Sequence, residues 1–220
     1  MVNRPLLEAI IRRLELFFLK ENNFQLEGKS YDLILFMDAG WRGSNEYNLL
    51  LSAQLLDSRS QREVIHTLLS DFRRIPSYPE YHVLAGLTIL KSTAQVVRQA
   101  QQTFRYRTSV DNPLVEVAGF EVDLGDEPAR GGLFARSVLL EQLKANAVLE
   151  VQFSTDGGIS SQVRTIQVGY IDQAMTLHGT LVRYTADHSY QATVAPNFHI
   201  PLLQVQRVRP EANFIGYQPL

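Results

Sequence analysis

Residues 148–208 read VLEVQFSTDGGISSQVRTIQVGYIDQAMTLHGTLVRYTADHSYQATVAPNFHIPLLQVQRV. Apolar residues here alternate strictly, the period of a half-buried strand. Leu149, Val151 and Phe153 share one face, and Ile166, Val168 and Tyr170 share the next. Asp156-Gly157 is a hairpin signal. Asp172-Gln173, Ala186-Asp187-His188 and Pro196-Asn197 break the pattern again, separating Met175, Leu177 and Leu181 from Tyr190, Ala192 and Val194. Short strands at hairpin spacing favour a small barrel or a bent antiparallel sheet.

Upstream, helices and strands interleave. Leu6, Leu7, Ile10, Ile11, Leu14, Phe17 and Phe18 make a helical stripe with Pro5 in its first turn, and Asn22-Asn23 can end it. Tyr31 to Met37 and Tyr47 to Ala53 read as strands joined by a turn-rich loop, most simply a hairpin. Val64, Ile65, Leu68, Leu69, Phe72 and Ile75 stripe a second helix capped by Ser58 or Ser60. Tyr81 to Leu90 is strand, and Val96, Val97, Ala100 and Phe104 mark a third helix capped by Ser92 or Thr93. Val115 to Leu124 alternates, and a short helix is expected over Phe134 to Ala145. The expectation is an α+β protein: a mixed helix/strand region over 1–112, a strand–loop–helix connector over 113–146, and a small antiparallel β-barrel-like or bent-sheet module over 147–220.

Composition narrows the function classes. The 220 residues are 45% hydrophobic and 20% charged, the balance of an ordinary globular chain that can bury a core. Net charge is -2, which disfavours a dedicated nucleic-acid binder. Residues 1–110 hold 14 Lys/Arg against 11 Asp/Glu, and residues 111–220 hold 7 against 12, so the C-terminal half is the poorer match for phosphate backbones. With no cysteine, disulfides, thiolate nucleophiles and Cys-based zinc sites are excluded. Leu6 to Leu19 is interrupted by Glu8, Arg12, Arg13 and Glu15, so neither a signal-peptide core nor a membrane span is expected, and a cytoplasmic protein is.

Candidate sites are few. Asp126 to Gly132, with Arg130, Gly131 and Gly132 running into a helix that carries Arg136, suggests a small anionic ligand held by helix amides and arginines; a loop with solvated arginines explains the same letters. Trp41 and Arg42, between Gly40 and Gly43, suit stacking on a planar ligand or anchoring a protein partner, against a tryptophan folded over its own hairpin. Glu121 and Asp123 lie two apart on a strand and can hold a divalent metal, against a solvated strand face. Asp32, Asp38, Glu46, Glu63 and Lys91 form a loose nuclease-like set.

The five histidines are dispersed; His178 and His188 are expected to face each other across a hairpin, with His199 able to join them. Arg98, Arg105 and Arg107, interleaved with Phe104 and Tyr106, form the most basic patch. No cofactor fingerprint is present. The leading expectation is a non-enzymatic binding, regulatory or scaffold protein. The alternatives are a metal-dependent phosphoesterase or weak nucleic-acid binding through the Arg98–Arg107 face. Phe17, Phe18, Phe24 and Tyr81 exceed what one helical face uses, which is compatible with a homodimer.

Overall fold

The computed structural model describes residues 3–39, 46–78, 83–123, 128–155, 160–184 and 190–210, with the side chains of 123, 128–130, 183–184 and 190–196 outside the description. The chain forms two compact units, one from residues 1–18 and 30–137, the other from 19–29 and 138–220. Helices and two mostly antiparallel five-stranded sheets make it a mixed α+β protein. No helix among the described residues is long and apolar enough to cross a membrane.

In the first unit the helical stripe forms α1 (Arg4–Glu21), with Leu7, Ile10 and Leu14 fully buried. Phe17 and Phe18 are buried as well. The Tyr31 hydroxyl donates to the Leu14 carbonyl at 2.8 Å and ties the next segment to the helix. β1 (Leu33–Asp38) and β2 (Tyr47–Ser52) then form the expected hairpin, paired from Leu33↔Ser52 to Asp38↔Tyr47. α2 (Gln61–Phe72) carries the chain to β3 (Leu84–Ile89), which lies parallel to β2.

α3 (Gln95–Phe104) follows, and its Val97, Ala100 and Phe104 pack on Leu33, Leu35, Met37, Leu50 and Phe134. Ile34, Phe36, Leu49 and Leu51 alternate onto the opposite face and are equally buried. Burial on both faces is why β1 and β2 read as continuous apolar runs. Ser92 does not cap α3, whose N-cap is Ala94; its hydroxyl and amide instead donate to the Asp57 carboxylate at 2.6 and 2.9 Å.

The expected strand over Val115–Leu124 is divided by a turn with Gly119 at φ +75° into β4 (Leu114–Glu116) and β5 (Glu121–Asp123). Among the described residues β5 pairs only with β6 (Pro128–Arg130), in a two-stranded ribbon. Residues 132–135 also depart from expectation. They form β7 (Gly132–Ala135), inserted between β1 and β4 in the sheet order β3-β2-β1-β7-β4. The helix starts later and is short, α4 (Val138–Gln142).

The second unit carries the alternating stretch as β8 (Val148–Ser154), β9 (Ser161–Ile171), β10 (Thr176–Tyr184), β11 (Tyr190–Pro201) and β12 (Val205–Pro210). The order is β11-β10-β9-β8-β12: a meander whose last strand, reached through a 3-10 turn over Leu202–Gln204, returns to pair with the first. Among the described residues β11 and β12 do not pair, so the sheet is open rather than a closed barrel. Leu149, Val151, Ile166, Val168, Leu177, Ile200, Leu202, Val205 and Val208 form the inner, buried face. Residues 19–29 join this unit through a Glu27↔Lys144 bridge and the Gly28 amide donating to the Leu143 carbonyl at 3.3 Å.

Candidate functional site: a ring-lined groove on the C-terminal sheet

Two glycines build the site. Along β9 and β10, His178 pairs with Tyr170 but Gly179 pairs with Val168, so Gly169 is an extra, unpaired residue. Between β10 and β11, Gly179 pairs with Phe198 and Leu181 with Ala195, leaving Thr180 opposite both Pro196 and Asn197. These are β-bulges on either side of Gly179, and a bulge redirects the side chains around it. A Cβ on Gly179 would lie 2.5 Å from the Gln167 carbonyl oxygen, and one on Gly169 3.1 Å from the His178 carbonyl oxygen. Only glycine allows the strands to approach this closely.

The first bulge has a visible consequence. Tyr170, expected on the inner face with Ile166 and Val168, is turned outward and is 59% exposed, whereas its former companions are buried. It stands beside His178, ring centroids 4.5 Å apart and planes within 7°. His199, opposite His178 on β11, continues the row at 6.2 Å and 30°. His178 thus pairs with His199; His188, expected opposite His178, lies outside the described residues.

The rings wall a depression of about 340 Å³ with Gly169, Gly179, Thr180, Asn197 and Phe198. That is at the small end of ligand sites, roughly 300–1,000 Å³.

Asp172 anchors the row. Its Oδ1 accepts the Ala174 and Thr176 amides, each at 2.9 Å, and its Oδ2 lies 2.8 Å from His178 Nε2. The hydrogen bond from His178, then that from the Thr176 amide, hold the Asp172 carboxyl below its ordinary range. An ionised carboxylate only accepts, so His178 Nε2 carries the proton and Nδ1 is the ring's remaining polar atom. His199 Nδ1 sits 3.4 Å from the Asn197 carbonyl, a long contact in which the ring nitrogen is the donor.

The residues singled out from sequence are dispersed. Trp41 and Arg42 lie outside the described residues. Arg130 belongs to β6, its backbone opposite Glu121 in the ribbon. Gly131 and Gly132 meet β1: the Gly131 carbonyl accepts the Asp38 amide at 3.3 Å, and a Cβ on Gly131 would lie 3.3 Å from Asp38 Oδ2. Gly132 leads into a strand, so no helix amides converge there. What stands beside these glycines is a carboxylate; partial burial, then Glu116, raise the Asp38 pKa.

Arg136 follows the far end of β7, roughly 13 Å along the strand from Gly132 at 3.3 Å per residue. Glu121 is exposed, and the Asp123 side chain is outside the description. Asp32 precedes β1 and Asp38 is its last residue, roughly 20 Å apart by the same rise. These two members of the nuclease-like set therefore do not share one centre. Among the described residues no three His, Cys, Asp or Glu side chains are placed to share a metal ion. No protein-family model, curated protein or solved structure matches the chain.

Proposed function

We propose that this is a binding protein, regulatory or scaffolding in role, whose C-terminal sheet holds a small ligand in the groove between Tyr170 and His199. The observation that carries the reading is the double bulge at Gly179, which removes side-chain bulk from the groove floor while three rings stand along its wall. The strand order, with a 3-10 turn before the last strand, further supports a sheet curled toward a small barrel.

The test is amide chemical-shift mapping with adenine, indole, phenol and inorganic phosphate as probes. Shifts at Gly169, Gly179, Thr180 and His199 support the reading. Shifts elsewhere only, or none with any probe, count against it.

A second reading places single-stranded nucleic acid on the C-terminal end of α3. Tyr106 is 77% exposed between Arg105 and Arg107, and the Arg107 guanidinium lies 5.8 Å from the Phe104 ring centroid. An exposed aromatic flanked by arginines suits base stacking with phosphate contacts. Its test is salt-dependent binding of an oligonucleotide.

A further inference from the structure

We infer that the groove has an occupant within the chain itself: residues 211–220 seat the Tyr217 ring in it, and a ligand enters by displacing them. The inference rests on the groove reading above and names how that site is regulated. Residues 211–220 lie outside the described residues; what points to them is their composition and the place where β12 delivers the chain.

Composition comes first. Phe214, Ile215, Tyr217 and Leu220 share this segment with a single charged residue, Glu211. A run with two aromatic rings and so little charge gains free energy by being covered. The groove offers a surface of the same character. None of its lining residues is Asp, Glu, Lys or Arg, two are glycines without side-chain bulk, and the Tyr170 ring on its wall is exposed.

Direction comes second. β12 is antiparallel to β8, and β8 to β9, so β12 and β9 run the same way. Pro210 stands in one row with Leu149, Ile166 and Leu181, and β9 continues from that row to Tyr170. β12 thus delivers the chain toward the groove's end of the sheet. Measured across a flat sheet, His178 on β10 lies three strands over and three residues along from Pro210. That is roughly 18 Å at 4.8 Å per strand and 3.3 Å per residue. Phe214, four residues past Pro210, reaches only about 13 Å, whereas Tyr217 reaches about 23 Å. Any curl of the sheet shortens the path.

The chain has no cysteine, so a nitroxide on Gln218→Cys labels one place only. In the full chain it should broaden the amides of Gly169, Gly179 and Thr180 more than those of Phe153 and Ser154, at the far end of the sheet. Adding Tyr217→Ala should remove that difference. Tyr217→Ala alone should tighten phenol binding at the groove amides about tenfold, the change expected if one molecule in ten has its groove open.

Broadening that is absent, or that survives Tyr217→Ala, overturns the inference. Equal phenol affinity of wild-type protein and Tyr217→Ala overturns it as well. In either case phenol shifts at Gly169, Gly179 and Thr180 still uphold the groove reading. If phenol, indole, adenine and inorganic phosphate all leave those amides unmoved in both proteins, the groove reading and the inference fall together.

Discussion

His178 Nε2 lies 2.8 Å from Asp172 Oδ2, six residues earlier in the chain and across the tight turn that joins β9 to β10. The same carboxylate accepts the amides of Ala174 and Thr176. One side chain thus closes the turn and orients the middle ring of the groove.

The carboxylates of the two units should respond to acid in opposite directions. Asp172 has a lowered folded pKa, so its contribution is full above the unfolded value, near 3.9, and is lost as pH falls through the folded value. Asp38 has a raised folded pKa, so its charged form costs stability above that value, and the cost disappears once pH drops below the unfolded one. Asp172→Asn should lower the melting temperature at pH 7, and Asp38→Asn should raise it. The Asp38→Asn difference should shrink away as melts are taken below the unfolded carboxylate value, whereas the Asp172→Asn difference should only begin to shrink there. A gain from Asp172→Asn at pH 7 would contradict the assignment.

Two glycine substitutions should separate the units. Gly132 has φ +139°, and a Cβ there would overlap the Phe36 carbonyl, so Gly132→Ala must displace β7 from β1. Its cost should reach about 3 kcal/mol, the upper range for overpacking. Gly179→Ala meets the Gln167 carbonyl at 2.5 Å and should cost about 1–3 kcal/mol in the second unit. Hydrogen exchange checks this: the first change should speed exchange in β1 and β7, the second in β9 and β10. Unchanged protection in either case would argue against the bulge and strand register.

Phe36 and Tyr106 should show the contrast between packing and display. Phe36→Ala removes a fully buried ring and should cost about 3–5 kcal/mol in urea denaturation. Tyr106→Ala should cost less than about 0.5 kcal/mol, because the ring is mostly in water. If the nucleic-acid reading holds, Tyr106→Ala and Arg107→Ala each weaken an oligo(dT) complex whose affinity falls with salt. Salt-independent or undetectable binding by the wild-type protein removes that reading.

Much of the fold was legible where periodicity reports burial on one face. Leu149, Val151 and Phe153 alternate because β8 has a dry side and a wet side, and α1 shows its stripe for the same reason. β7 was hidden because Leu133, Phe134 and Ala135 are all buried, so no alternation exists, and Phe134 falls at helical spacing from Val138. Its strand character comes from pairing with β1 about a hundred residues earlier, a tertiary effect that local propensity does not carry.

The groove was hidden by register. In the sequence Tyr170 continues the alternation of Ile166 and Val168, and only the extra residue at Gly169 turns it outward. Glycines inside otherwise regular strand patterns, here Gly169 and Gly179, were the signal of it, each beside a ring at Tyr170 or His178. Arg130, Gly131, Gly132 and Arg136 looked like one site because they are adjacent in sequence, but a strand between them holds their ends apart.

The most direct test of the ring-lined groove is a nuclear Overhauser spectrum of the Tyr170 ring. Cross-peaks to the His178 ring, together with Hα contacts between His178 and His199, are the expected result. Cross-peaks from Tyr170 to the Ile166 and Val168 methyl groups, with His178 facing His188 instead, would place the tyrosine in the core and leave no such groove.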